Sequence, residues 1–445
     1  MKKVLILGAG LVVKPIVNHL LSKNIQVTVA TRTISKAEAM ISGHPNGKAI
    51  GWTIEDEAAL DNMVAGHDLT VSLLPYAHHL LVAGYCLKHR KNMVTTSYVK
   101  PEMQALDAKA KEADIIILNE LGLDPGIDHM SAMRIIDKVR EKGGKIEEFY
   151  SFCGALPAPE AANNPFKYKF SWSPKGVVMA GNNDGRYLRH GKVVDVPTEN
   201  LFKKPLQVNF EGVGPLEVYP NRDSIAYIDI YGITETKTMM RGTFRFPGWC
   251  ESIDVMKQLH LLSNEKYDMN GLTYAQFLAK QASLNSTENL REAIARNLNL
   301  PQTAHAFDAM EWLGLFADSP MNRGVDSPFE VSSDLMISKM ELGYQERDMV
   351  VMQHTFVAAY PDGSKEVIRS RMLDFGTPAT DTSIARAVAL PAALGVEMIL
   401  KGEITEKGVF RPVLPGIYNP ILNELEKLGI RMVEDYGLPK SENIN

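Results

Sequence analysis

The sequence predicts an α/β protein: a doubly wound parallel sheet at the amino end, followed by a second α+β domain built on a mostly antiparallel sheet. Three observations carry this reading. The chain opens as a short apolar strand, a glycine turn and a helix. Strand and helix patterns then alternate regularly as far as Leu118. Past Gly143-Gly144, strand-like pieces are joined instead by Pro- and Asn-rich loops.

In the opening element, Val4, Leu5, Ile6 and Leu7 form an unbroken apolar run, as a parallel strand buried on both faces requires. Gly8 and Gly10 allow a sharp turn and a close approach of backbone, so that the next helix, carrying Pro15, offers unpaired N–H groups to a pyrophosphate. Val13 stands where the dinucleotide fingerprint has its third glycine. The second strand, Ile25 to Ala30, ends in Thr31-Arg32-Thr33, where an acidic residue normally meets the ribose hydroxyls. An arginine between two hydroxyl side chains suits a 2′-phosphate, which points to NADP(H) over NAD(H). The domain is therefore expected to be Rossmann-like.

The alternation continues through a helix at Ser35 to Ser42, a strand at Lys48 to Trp52, a helix at Asp56 to Ala65 and a strand at Asp68 to Leu74. Tyr76 to Arg90 reads as helix, Asn92 to Thr96 as strand, Met103 to Ala113 as helix and Ile115 to Leu118 as strand. Ligands of such a sheet bind at the carboxyl ends of its strands. The residues to inspect are thus Gly8 to Val12, Thr31 to Thr33, Leu73 to Pro75, Thr96 to Lys100 and Asn119 to Asp128.

In the second domain, Ile146 to Phe152, Gly176 to Ala180, Leu216 to Val218, Ile225 to Gly232 and Lys237 to Phe246 read as strands, and Val350 to Ala359 with Lys365 to Phe375 as a further hairpin. Helices dominate from about Asp254 to Leu313. The Ala- and Leu-rich segment Thr382 to Lys401 reads as a helix packed deep against other elements. The expected domains are 1–125, 126–380 with a helical subdomain around 254–313, and a C-terminal segment 381–445 that returns to the first domain or the hinge.

A chain of 445 residues is long for a single core, and 45% hydrophobic with 23% charged residues is an ordinary globular composition. A net charge of −5 argues against a nucleic-acid partner. Cys86, Cys153 and Cys250 are widely separated, without metal-site or disulfide spacing, so no metal is expected. No secretory leader is read at Met1-Lys2-Lys3, and no stretch is read as approaching the apolar length that crosses a bilayer. Cytoplasmic residence is the default expectation.

A specific resemblance begins at Asn119-Glu120-Leu121-Gly122-Leu123-Asp124-Pro125-Gly126-Ile127-Asp128-His129. With Ser97-Tyr98, Cys153 to Glu160, Tyr168 to Ser173, Tyr219 to Ser224 and Arg241 to Arg245, in that order along most of the chain, the sequence resembles the saccharopine reductases, the glutamate-forming saccharopine dehydrogenases. The resemblance implies an NADPH-dependent enzyme that joins the amine of L-glutamate to 2-aminoadipate 6-semialdehyde and reduces the imine to saccharopine, reversibly. It also implies a homodimer.

Substrates with several carboxylates need fixed cations. Arg222 and Arg245 are the candidates, because a guanidinium holds a carboxylate bidentately, with Thr243 adding a hydroxyl. Read alone, either arginine is more often a surface ion-pair partner; their place in matching blocks reverses that. Phe244 and Ser97 complete the substrate set that the resemblance implies. Tyr98 follows a strand end near the expected nicotinamide position and is a candidate for moving a proton. Asp124 alone would read as a turn or cap residue and Cys153 as a small buried one; the resemblance brings both to the substrate.

The expected cofactor residues are Gly10, Leu11, Val12, Thr31, Arg32, Thr33, Thr96, Ser97, Leu123, Asp124, Pro125 and Ser173. Leu123 and Ser173 rest on the resemblance alone. His78, His79 and His129 read as structural. Two rival functions compete: reduction of another amino-acid imine, such as the one leading to carboxynorspermidine, and a non-catalytic NADPH sensor. Hydride transfer needs a dry, aligned cleft, so a cofactor domain hinged to a substrate domain is expected.

Overall fold

The computed structural model describes residues 1–444; Asn445, the end of the expected C-terminal segment, lies outside the described residues. In chain order the first elements are β1 (Lys3–Leu7), α1 (Lys14–Ser22), β2 (Gln26–Thr31), α2 (Ile34–Ile41), β3 (Gly47–Gly51), α3 (Glu57–Ala65), β4 (Leu69–Ser72), α4 (His79–His89), β5 (Asn92–Thr95), α5 (Pro101–Gln104), α6 (Asp107–Glu112), β6 (Ile116–Leu118) and α7 (Ile127–Glu141). The middle of the chain holds β7 (Lys145–Pro157), α8 (Pro174–Ala180), β8 (Gly185–Arg189), β9 (Lys192–Val196), β10 (Leu206–Phe210), β11 (Gly214–Pro220), α9 (Ala226–Tyr231), β12 (Thr238–Arg245) and α10 (Trp249–Gln258). Then come β13 (Tyr267–Asp268), α11 (Tyr274–Gln281), α12 (Leu290–Asn297), α13 (His305–Leu313), β14 (Val325–Asp326), α14 (Pro328–Lys339), β15 (Asp348–Ala359), β16 (Lys365–Phe375), α15 (Ser383–Lys401), β17 (Gly408–Phe410), α16 (Pro415–Lys427) and β18 (Val433–Leu438).

Two compact units result. The first comprises Met1–Ile146, Ile230–Gly232 and Ala358–Leu438; the second comprises Glu147–Asp229, Ile233–Val357 and the C-terminal residues from Pro439. The first unit thus takes in residues 126–146 and 358–380 beyond the terminal stretches.

The first unit is built on a seven-stranded sheet in the order β17-β6-β5-β4-β1-β2-β3. Every pair in it is parallel. Val4, Leu5, Ile6 and Leu7 are fully buried, which explains the unbroken apolar run. The order reverses between β1 and β4, so the crevice at their carboxyl ends is the switch point where such sheets bind ligands. Gly8, with φ of 110°, crosses this point: a Cβ there would stand 2.9 Å from the Leu73 carbonyl oxygen.

Helix α15 packs on α1 within this unit. The two are pinned by His19 Nε2 to Glu397 Oε2 at 2.8 Å, with both side chains 8% exposed. The expectation that no segment is long and apolar enough to span a bilayer is corrected here. The 19 residues of α15 meet that criterion, with 83% of the apolar window buried in protein. Its continuous hydrophobicity is that of a core helix.

The second unit carries the strands β10-β11-β12-β7-β15, with the β8–β9 hairpin joined to β12. Its β10–β11 and β11–β12 pairs are antiparallel, whereas β12 and β7 run parallel with Thr243 opposite Cys153. Helices α10 to α13 occupy the region read as helical.

Three segments differ from the sequence reading. Gly176 to Ala180, expected as a strand for Val177 and Val178, lies in α8, opened by Pro174 in its first turn. Ile225 to Gly232, rich in β-branched and aromatic residues, is largely α9; tertiary packing overrides its strand propensity. The expected helix from Met103 to Ala113 is broken into α5 and α6.

Candidate functional site

In the first unit a candidate nucleotide cradle forms at the ends of β1 and β2. Gly8 N donates to Ala30 O at 2.9 Å, tying the turn to the second strand. A Cβ built on Gly10 meets no atom within 4 Å, so the loop is open enough to admit a phosphate. Leu11 is 66% exposed beside it. Helix α1 follows with no side-chain cap and no acidic residue in its first turn, leaving its N–H groups and positive dipole end uncompensated. Val13, in place of a third glycine, is buried, and its N–H bonds Gly10 O at 3.2 Å. It contributes packing while the turn keeps its shape.

Thr31 ends β2, and Thr33 precedes α2 without making a side-chain cap bond. Arg32, exposed between them, makes no hydrogen bond or ion pair among the described residues. Open glycine, uncapped helix end and uncommitted arginine fit a phosphorylated dinucleotide.

The ends of β5 and β6 carry a second group in the same unit. The Tyr98 hydroxyl donates to Asp124 Oδ1 at 3.1 Å, and both residues are half-buried. Asp124 precedes a cis peptide bond to Pro125. The next residue, Gly126, has φ of 147°, and a Cβ there would stand 1.9 Å from the Gly122 oxygen. Leu123 is buried in this loop, and Thr96 packs against Gly122. Ser97 Oγ lies 2.8 Å from His79 Nε2, and His79 Nδ1 lies 2.8 Å from Ser72 Oγ. His79 thus bridges the ends of β4 and β5. Burial pushes its pKa down to about 4, with His78 adding to the effect, so the ring is neutral, one nitrogen donating and the other accepting in the chain of hydroxyls. A pocket of about 250 Å³ opens beside Tyr98, lined among others by Tyr76, His79, Lys100 and Asn119. Lys100 Nζ lies 3.8 Å from the centre of the Tyr76 ring.

Beneath Tyr98 is Glu120, 2% exposed. Its Oε1 accepts from Val99 N at 2.7 Å and from Arg411 Nε at 2.9 Å. Its Oε2 lies 2.7 Å from His129 Nε2, and His129 Nδ1 lies 2.7 Å from the Tyr231 hydroxyl. Burial pushes Glu120 up, but His129, Arg411 and the Val99 N–H hold it below the usual carboxylate range.

The second unit holds the candidate carboxylate-binding residues. Alternation along β12 places Thr243 and Arg245 on one face and Phe244 on the other. The Phe244 ring is fully buried against Phe152 and Phe210, each with centroids 5.7 Å away, so only its main chain is available to a ligand. Arg245 is 3% exposed. Its guanidinium carbon lies 4.9 Å from the Tyr168 ring, 5.3 Å from Trp249 and 5.7 Å from Tyr219. Nη1 donates to Phe244 O at 2.9 Å, while Nε has no hydrogen-bond partner among the described residues. Cys153 is buried on β7 opposite Thr243. Arg222 lies exposed in the left-handed region at φ of 54°, its carbonyl accepting from Arg186 N at 2.8 Å. Ser173 is exposed just before α8.

Sequence reasoning missed His79 and Glu120 as links behind the site residues, and the aromatic ring set around Arg245. The Tyr168 to Ser173 block contained part of that ring set; Glu120 carried no local signal, because its partners Val99, His129 and Arg411 come from three separate segments.

Comparison with known proteins follows the same outline. A family model described as Saccharopine dehydrogenase NADP binding domain matches residues 4–118, and one described as Saccharopine dehydrogenase C-terminal domain matches residues 122–430. The chain is 37% identical to a saccharopine dehydrogenase [NADP(+), L-glutamate-forming] of Schizosaccharomyces pombe, over 98% of this chain and 99% of that one. It is 38% identical to the mitochondrial alpha-aminoadipic semialdehyde synthase of Mus musculus, over 96% of this chain and 47% of that longer protein. Among solved structures, apo histidine-tagged saccharopine dehydrogenase (L-Glu forming) from Saccharomyces cerevisiae matches with a TM-score of 0.90 and 34% identity, covering 98% of this chain and 100% of that one.

Proposed function

The chain belongs to the saccharopine dehydrogenase family, and from that premise we propose that it is an NADP(H)-dependent oxidoreductase that condenses L-glutamate with 2-aminoadipate 6-semialdehyde and reduces the imine to saccharopine. The observation that carries this is the end-to-end match to glutamate-forming enzymes, at 37% identity over 98% of the chain. The competing imine reductase and the silent sensor have no comparable support.

In this reading Gly10, Leu11 and Val12 cradle the pyrophosphate with the α1 N–H groups. Arg32, between Thr31 and Thr33, takes the 2′-phosphate. Thr96, Ser97, Leu123, Asp124 and Pro125, with Ser173, hold the nicotinamide half. Bound NADPH supplies the hydride. Arg245 takes a substrate carboxylate in a dry environment, where a guanidinium is worth most, with Thr243, the Phe244 main chain and Arg222 completing the grip. The Tyr98–Asp124 pair handles the proton that the imine nitrogen gains, and Ser97 orients substrate beside it. Cys153, buried next to Thr243, shapes the substrate face. Cytoplasmic residence and a homodimer belong to the same proposal.

The test is direct. Purified protein with NADPH, L-glutamate and 2-aminoadipate 6-semialdehyde consumes NADPH and forms saccharopine. Turnover of a diamine-derived imine instead, or none with either, sinks the reading.

A further inference from the structure

Tyr98 is held from both sides by one residue. The peptide group before it offers Ser97 O to Glu120 N at 3.1 Å, and the one after it donates Val99 N to Glu120 Oε1 at 2.7 Å. Glu120 does this from the left-handed region, at φ of 58°, a conformation that non-glycine residues keep only where surrounding bonds impose it. The bonds are present: Arg411, just past the edge strand β17, and His129, on α7, grip the same carboxylate. Asp124, the partner of the Tyr98 hydroxyl, follows Glu120 in the same loop. A carboxylate with three charge-assisted or main-chain donors is a rigid strut, not an acid awaiting a proton.

We infer that Glu120 is a positioning residue: by bonding both peptide groups that flank Tyr98, it fixes the reach of the Tyr98 hydroxyl to Asp124, with Arg411 and His129 holding the strut in place. This rests on the reading of Tyr98 as a proton-handling group. A displacement of the order of 1 Å at a reacting group costs up to about a hundred-fold in rate, so loss of the strut acts on kcat rather than on nucleotide affinity. Glu120→Gln keeps an amide oxygen for the Val99 N–H and the Arg411 Nε, so those two holds on the strut persist.

The experiment measures kcat for NADPH oxidation with L-glutamate and 2-aminoadipate 6-semialdehyde, and NADPH affinity by fluorescence titration. It uses the full chain and its Glu120→Ala, Glu120→Gln, Tyr98→Phe and Glu120→Ala/Tyr98→Phe variants. Glu120→Ala lowers kcat about ten-fold or more with NADPH Kd within about two-fold, and Glu120→Gln stays within about three-fold of the parent. The double variant is no slower than Tyr98→Phe, because residues acting as one unit are not additive. A merely structural role would give multiplicative losses. Multiplicative losses, or an unchanged kcat in Glu120→Ala, overturn the inference while leaving Tyr98 in its role. Full turnover by Tyr98→Phe overturns the reading of Tyr98 and the inference with it. If Glu120→Ala does not fold, Arg411→Gln replaces it, with a loss of about three-fold expected that vanishes in the Tyr98→Phe background.

Discussion

Arg245 faces the ring of Tyr168, its guanidinium carbon 4.9 Å from the ring centre, and is answered there by aromatic faces rather than by a carboxylate. With Trp249 and Tyr219 at 5.3 Å and 5.7 Å, three rings surround a cation that is 3% exposed and whose Nε has no hydrogen-bond partner among the described residues. Cation–π contacts return about 0.5–2 kcal/mol each, less than a buried charge loses on leaving water. The unliganded protein therefore carries a destabilised cation, and under the proposed function an anionic substrate is expected to relieve it.

A stability gain with loss of function follows. Arg245→Met removes the unpaired charge and fills its volume, and is expected to raise unfolding stability by about 1–3 kcal/mol. Saccharopine raises the Tm of the parent protein but not that of the variant, which also loses turnover. Thermal unfolding with and without ligand checks it, and a variant less stable than its parent contradicts the account.

Coenzyme choice is expected to reside in Arg32, which makes no hydrogen bond or ion pair among the described residues. Losing a charge-assisted contact to a phosphate costs about 1.5–3 kcal/mol, so Arg32→Asp weakens NADPH binding by at least about ten-fold. NADH, lacking that phosphate, changes little. Parallel titrations decide it; equal losses for both coenzymes would place the 2′-phosphate elsewhere.

His79 ties acid sensitivity to the site. Burial lowers its pKa from the ordinary 6.5 to about 4, so the folded state binds fewer protons than the unfolded chain between those values. Its contribution to stability is full above pH 6.5 and is lost as pH falls towards 4. A shift of that size corresponds to about 3 kcal/mol. In His79→Gln the fall in Tm over this window is expected to be shallower; an unchanged slope refutes the assignment.

The fold class was legible because two signals were strong and local: the buried run Val4 to Leu7, and the regular return of strands as far as Leu118. The strand β17 was not, because three residues beginning at Gly408 pair with Ile116 from a remote part of the chain and carry no pattern of their own. Val177 and Val178 misled for the opposite reason. Their strand propensity was outweighed by Pro174, which sets the first turn of α8. At the candidate site, Arg32 was singled out by its place at the end of the second strand, and Arg245 by the resemblance alone. The supports were not singled out. Glu120 reads as an ordinary acidic residue until folding gathers Val99, His129 and Arg411 around it, and His79 until Ser72 and Ser97 arrive on adjacent strand ends.

The last expectation separates the shape of the cradle from its charge. Gly8 needs φ of 110°, and a Cβ on it would press against the Leu73 carbonyl at 2.9 Å, main chain that cannot swing aside. Gly8→Ala must therefore strain its own backbone or part the ends of β1 and β4, at a cost on the order of 1–3 kcal/mol. The pyrophosphate is common to both coenzymes, so Gly8→Ala should weaken NADPH and NADH alike, whereas Arg32→Asp discriminates between them. Nucleotide titrations with thermal unfolding on the two variants test this contrast. If Gly8→Ala binds both coenzymes as the parent does, the crevice between β1 and β4 does not hold the pyrophosphate.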